Sequence, residues 1–329
     1  MAKNYPVSFL RLCTVATAAL LFGLLPGREV LAATDPMADA RMVGEKRCGE
    51  CHDTEKSLFG HTQHAKVFRE NPRNDTEKSV CEACHGNGSL HVADTKDKTK
   101  IIGFSKEWNT PIEKQTGQCL ICHAGGQRIN WPGSIHATNK MACSDCHNPM
   151  ARFSANGLMK KASITDTCQS CHQQQRAEFR KKSHMPVPEG KMTCVDCHNP
   201  HGSNAKKLLK ADSVNDLCYT CHAEKRGPFV HQHDPVAEDC TNCHNVHGTT
   251  IPAMLKARPP LLCQQCHTPH VAGGVGALGG QSGVNITGST SGKNVVNLWQ
   301  GRSCLNCHTQ IHGSNNPSTV NSMPQLMMR

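Results

Sequence analysis

Apolar residues are spread thinly along this 329-residue chain, and only one stretch gathers them densely. Leu12 to Leu25 is a 14-residue apolar run behind Lys3 and Arg11, and Val30-Leu31-Ala32 follows with small residues. A positive start, a short apolar centre and a small-residue exit predict a secretory signal over residues 1–32. The run is too short to span a bilayer comfortably, and no cysteine follows it as a lipid-anchored leader would require. No later stretch approaches membrane-spanning length. The mature chain is therefore expected to begin near Ala33 and to be soluble in the periplasm of a Gram-negative bacterium.

Past the leader the pattern supports only short elements. Thr110-Pro111 reads as an N-cap followed by proline at the first helical position, leading into Cys119. Ser213 to Asp216 reads as a capping arrangement ahead of Cys218. The Gly-rich stretch 273–292 has no periodicity and predicts a surface loop. Short helices, little sheet and much irregular chain are the expected fold.

Ten copies of Cys-x-x-Cys-His change the picture. They are Cys48-Cys51-His52, Cys81-Cys84-His85, Cys119-Cys122-His123, Cys143-Cys146-His147 and Cys168-Cys171-His172 in the first part of the chain. Cys194-Cys197-His198, Cys218-Cys221-His222, Cys240-Cys243-His244, Cys263-Cys266-His267 and Cys304-Cys307-His308 follow. They use 20 of the 21 cysteines, and the remaining one, Cys13, lies in the leader. Each thiol pair can form two thioether bonds to a haem, with the next histidine meeting the iron on one face. A disulfide framework would explain an even count but not the histidines. Zinc ribbons use such pairs two at a time without needing the adjoining histidine. The motifs imply ten covalently attached haems c and electron transfer.

Composition agrees. Hydrophobic residues are 37% of the chain with cysteines included, and aromatic residues only 4%. A chain this long would normally bury a sizeable apolar core, so the haems themselves are expected to serve as core, leaving the haem-free chain largely unfolded. The formal charge of +10 falls to +8 once the leader is gone. Two propionates per haem, partly offset by the ferric centres, bring the oxidised holoprotein to about neutrality. The basic balance therefore does not point to nucleic acid.

Eleven further histidines stand against ten open iron faces: His61, His64, His91, His136, His184, His201, His231, His233, His247, His270 and His312. That near match favours six-coordinate, electron-shuttling centres over substrate-binding ones. His201, His247 and His270 follow a motif histidine by three residues, His312 by four and His91 by six. A residue so close cannot reach the opposite face of its own haem, so each is expected to ligate a neighbouring one. His64, His136, His184 and His233 precede motifs and complete nine. For the tenth, CHNPH at 197–201 corresponds to CHNPM at 146–150. Met150 thus stands where a distal histidine is expected, either as a ligand giving a His/Met centre of raised potential or as packing, with His61 or His231 supplying the imidazole.

The stretches CEACHG (81–86), SVNDLCYTCHAEKRGP (213–228), LCQQCH (262–267) and GRSCLNCHTQIHGSNNPS (301–318) carry a resemblance. By them, and by motif number and order, the whole mature chain resembles the MtrA/DmsE family of periplasmic decahaem cytochromes. The resemblance implies an elongated haem wire in two five-haem halves, 33–185 and 186–329. It implies distal roles for His64, His91, His136, His184, His201, His233, His247, His270 and His312, and Met150 is the departure from it. It further implies insertion into an outer-membrane β-barrel porin. Electrons would pass between periplasmic or inner-membrane cytochromes and an outer-surface multihaem cytochrome, for oxidation or reduction of external iron. A donor to an outer-face dimethyl sulfoxide reductase is the alternative. A nitrite- or hydroxylamine-converting enzyme and a free electron store are further ones.

Overall fold

A computed structural model of the protein describes residues 35–267, 284–285, 295–296, 304–305 and 308–315. The predicted leader with Cys13, His270 and Cys307 lie outside the described residues. Short helices joined by irregular chain make up the fold. The longest, Ile112–His123, has 12 residues; Asp53–Gly60 and Gln63–Glu70 have eight each, and the rest are shorter. Among the described residues no helix is long and apolar enough to cross a membrane. Within the Gly-rich stretch Val284–Asn285 pairs antiparallel with Val295–Val296, a two-residue strand where loop was expected.

Polar caps start many of these helices. Thr62, Asn74, Ser134, Ser163 and Ser213 each accept a hydrogen bond from the backbone N–H three residues on, meeting one of the orphan donors of a helix start. Ser163 and Ser213 also sit equally far ahead of Cys168 and Cys218, so the same device opens two motif helices, the second as anticipated. The cap expected at Thr110 is absent. Pro111, at φ −52° and ψ 137°, is itself the N-cap of Ile112–His123 and carries no side-chain cap bond. The Thr110 hydroxyl instead accepts from the Gly103 N–H at 3.1 Å. Proline moved the boundary one residue onward, because its ψ is extended here.

Apolar burial is sparse. The buried apolar side chains among the described residues are Phe59, Ala65, Val80, Ala83, Ile102, Ala142, Ala151, Met159, Phe179 and Val187. Phe59, Ala65 and Val80 form one cluster, against which Phe68, Cys81 and Met150 pack. Beside it the buried Glu82 carboxylate accepts from the Val43, Gly44 and Gly88 N–H groups at 2.8–2.9 Å, clamping the N-terminal segment onto the second motif.

Candidate functional site: ten Cys-x-x-Cys-His turns and their facing imidazoles

Nine motifs are described in full, and each is built on one turn of helix. In eight of them the histidine N–H donates to the first cysteine's carbonyl at 2.9–3.1 Å, and the ninth, Cys119 to His123, closes a longer helix; His308 donates to Cys304 in the same way at 2.7 Å. An i to i+4 bond of this kind places both thiols and the imidazole on one side of the turn. In the fourth and sixth motifs the turn is held by an internal aspartate. Asp145 accepts from the Ala142 N–H at 2.8 Å, and Asp196 accepts from the Thr193 N–H at 2.6 Å.

Neighbouring motifs lie close enough in chain order to act on one another electrostatically, through two alternating relations. First cysteines lie side by side as Cys48 with Cys81, Cys119 with Cys143, Cys168 with Cys194, Cys218 with Cys240 and Cys263 with Cys304. Between these pairs the second cysteines approach: Cys84 with Cys122, Cys146 with Cys171, Cys197 with Cys221 and Cys243 with Cys266. Burial, and then Cys48, pushes the Cys81 thiol up to about 12; burial, and then Cys240, does the same at Cys218. The ten motifs therefore form one file whose spatial order is their sequence order.

The imidazoles pair across gaps of constant width. His52 faces His91 at 6.4 Å between ring centres, His123 faces His64 at 5.9 Å, and His147 faces His201 at 6.1 Å. His172 faces His136 at 6.2 Å, His198 faces His247 at 6.3 Å, His244 faces His312 at 6.2 Å, and His267 faces His233 at 6.0 Å. A metal bound by one nitrogen of each ring at about 2 Å, with about 1 Å more from nitrogen to ring centre, gives a separation of about 6 Å. The observed gaps suit one iron between two imidazoles. Among the described residues no three or more His, Cys, Asp or Glu side chains converge as a metal-ion cluster.

Ring orientation is fixed from behind in the second, fourth, sixth and eighth motifs. The Nδ1 of His85, His147, His198 and His244 meets the carbonyl oxygen of Ile102, Gly157, Lys207 and Ala253 at 2.6–2.8 Å. Such a bond holds the proton on Nδ1 and leaves Nε2 free for a metal. Burial is the first cause that moves His64, His85, His91, His123, His172, His201, His247 and His312 below the ordinary histidine range. Neutral rings with a free lone pair are the form a metal takes.

The residue three places past an even motif's histidine is positioned by a shared device. The Met150, His201 and His247 N–H groups donate to the Asn148, Asn199 and Asn245 side-chain oxygens at 3.0–3.3 Å. Glycine follows the two histidines at φ +119° for Gly202 and +139° for Gly248, with the Asn130 and Glu178 carbonyls pressed against them. Gly202→Ala is expected to destabilise the protein by at least about 1–3 kcal/mol, because left-handed strain and overlap with the Asn130 carbonyl add. Thermal denaturation checks this, and an unchanged midpoint would refute it.

Some anticipated residues lie elsewhere. His61 is exposed. His184 is held by the Lys181 carbonyl at 2.6 Å and by the Glu189 carboxylate at 3.0 Å, which raise its pKa in that order. His231 pairs its backbone with Ser314, beside His312, and its Nε2 is buried without a partner. Which ring faces which motif could not be read from spacing alone; the faint signal was the repeated Asn two places before Met150, His201 and His247.

Comparison with known proteins converges on the same chemistry. Residues 184–227 and 233–272 match the family described as doubled CXXCH motif, and residues 81–164 match the NrfB-like cytochrome c-type proteins. Multiheme cytochrome MtrA of Shewanella baltica (strain OS185) is 39% identical over 276 residues, 84% of this chain and 80% of that protein. With that similarity spread over so much of the chain, and with its triads folded alike, the protein belongs to the MtrA family of multihaem c-type cytochromes, electron carriers with covalently bound haem.

Proposed function

We propose that the chain holds ten haems c in sequence order and carries electrons along them across the outer membrane. It would start in the periplasm, lie inside a porin-type β-barrel and serve the oxidation or reduction of iron outside the cell. The observation that carries this reading is the unbroken file of motifs, linked alternately through first and second cysteines. A conduit needs each centre to lie near the next; a substrate-converting enzyme needs a centre with an open iron face.

The two cysteines of each motif would hold a haem through thioether bonds and the motif histidine would ligate it on one face. On the other face His91, His64, His201, His136, His247, His312 and His233 stand opposite His52, His123, His147, His172, His198, His244 and His267. His184 and His270 would serve two of the remaining sites. Bound there, each haem supplies a reversible ferric/ferrous couple. The chain's part is to saturate the iron so that no substrate enters, and to keep neighbours close. The halves 33–185 and 186–329 would hold five each, joined by Cys168 beside Cys194 and by His147 opposite His201.

Expressed in its native host, the protein is expected to co-purify with an outer-membrane β-barrel and an outer-surface multihaem cytochrome, shielded from added protease. Recovery solely as a free, protease-sensitive periplasmic monomer would sink the conduit reading.

A further inference from the structure

Three relations recur along the file of motifs and converge on Met150. The first is a two-step register. The residue trailing the sixth motif, His201, faces the histidine of the fourth, His147; the eighth motif's His247 faces His198 of the sixth; and the tenth motif's His312 faces His244 of the eighth. One step earlier the same register sets Met150, trailing the fourth motif, opposite His85 of the second.

The second relation is local. Met150 is anchored as His201 and His247 are, its N–H donating to the side-chain oxygen of an asparagine two places back. Its side chain packs on the cluster that carries Cys81, the first cysteine of the second motif.

The third concerns neighbours. His136 meets the carbonyl of Pro200, just before His201, and His233 meets that of Ile311, just before His312. The histidine preceding the fourth or eighth motif thus sits beside the trailing residue that faces that same motif's histidine. His64 precedes the second motif, and its helix brings Ala65 and Phe68 against the cluster on which Met150 packs. His85 meanwhile is held through Nδ1 by Ile102, and among the described residues the ring beside it is Phe104, not an imidazole.

We propose that the Met150 thioether is the distal ligand of the haem attached at Cys81 and Cys84, opposite His85, making the second site a His/Met centre of raised potential in a file of bis-histidine centres. This rests on the ten-haem reading above. Thioether sulfur donates weakly to ferric iron and favours the ferrous state, so the second centre becomes the place where an electron dwells longest.

Two readouts on the holoprotein test it. Near-infrared magnetic circular dichroism of the oxidised protein is expected to show a thioether-to-ferric charge-transfer band equal to one haem in ten. Met150→His is expected to abolish that band and add one bis-imidazole centre, with intact mass still reporting ten haems. In the fully reduced protein, labelled at methionine methyls, one methyl is expected far upfield, missing in Met150→His and showing nuclear Overhauser contacts to Val80. Ten haems with no such band, a band that survives Met150→His, or a shifted methyl remote from Val80 would each overturn the assignment alone. Absence of haem on the Cys81–Cys84 peptide would overturn the ten-haem reading and this proposal with it.

Discussion

Made in cells unable to attach haem, the chain is expected to lose most of its helical circular dichroism and all cooperative melting. Isolated helices shorter than about 12–15 residues are marginal in water, since each must meet its nucleation cost alone. Among the described residues the longest helix has 12 residues and the rest have eight or fewer. Tertiary burial cannot substitute, because four of the ten buried apolar side chains among the described residues are alanines, and only Phe59, Ala65 and Val80 cluster. Motif histidines face distant histidines at ring-to-ring distances of about 6 Å, a spacing that suits a metal between them rather than direct ring packing. Far-UV dichroism and thermal melts of haem-free and haem-loaded protein, compared at equal concentration, provide the check. A haem-free chain that melted sharply would show that the polypeptide folds by itself.

The second large effect concerns coordination. Native reduced protein is expected to bind no carbon monoxide, and His201→Ala is expected to bind one per chain. His201 stands 6.1 Å from His147 with the rings nearly parallel, and its backbone is tied to Asn199. Trp131 packs edge-on beside it at 6.4 Å, keeping the ring in place. Removing this imidazole leaves His147 alone with its iron and opens a site of small-ligand size. His61→Ala serves as the control: its side chain is exposed, and no binding is expected. Titration of the reduced Soret band measures the stoichiometry. Zero for His201→Ala would sink the assignment of this residue as a ligand.

Much of this architecture was legible in the sequence because its chemistry is local. A CxxCH triad closes within one helical turn, so spacing alone says where a haem attaches. Ser213 with Asp216 is a cap that needs no tertiary partner, and it formed. Thr110 was misread because the proline beside it adopted an extended ψ, and the hydroxyl found Gly103 instead. The facing of His147 by His201, or of His172 by His136, depends on how distant turns stack, and no local pattern encodes that. Spacing argued that a histidine three places past its own motif would not double back onto the same haem. It could not supply the step of two motifs. For His184, whose ring is engaged by Glu189, placement depended on a loop carboxylate with no signature of its own.

The step of two has a bearing on biogenesis. A chain threaded into its compartment amino-terminus first presents His147 long before His201 arrives, and His198 long before His247. On the proposed ligation, the fourth, sixth and eighth centres would each stay one ligand short until a later segment emerged to complete them, so maturation would close from behind, like a stitch locked by the next loop. Truncation just after the fourth, sixth or eighth motif would therefore deprive the last motif kept of the histidine that faces it.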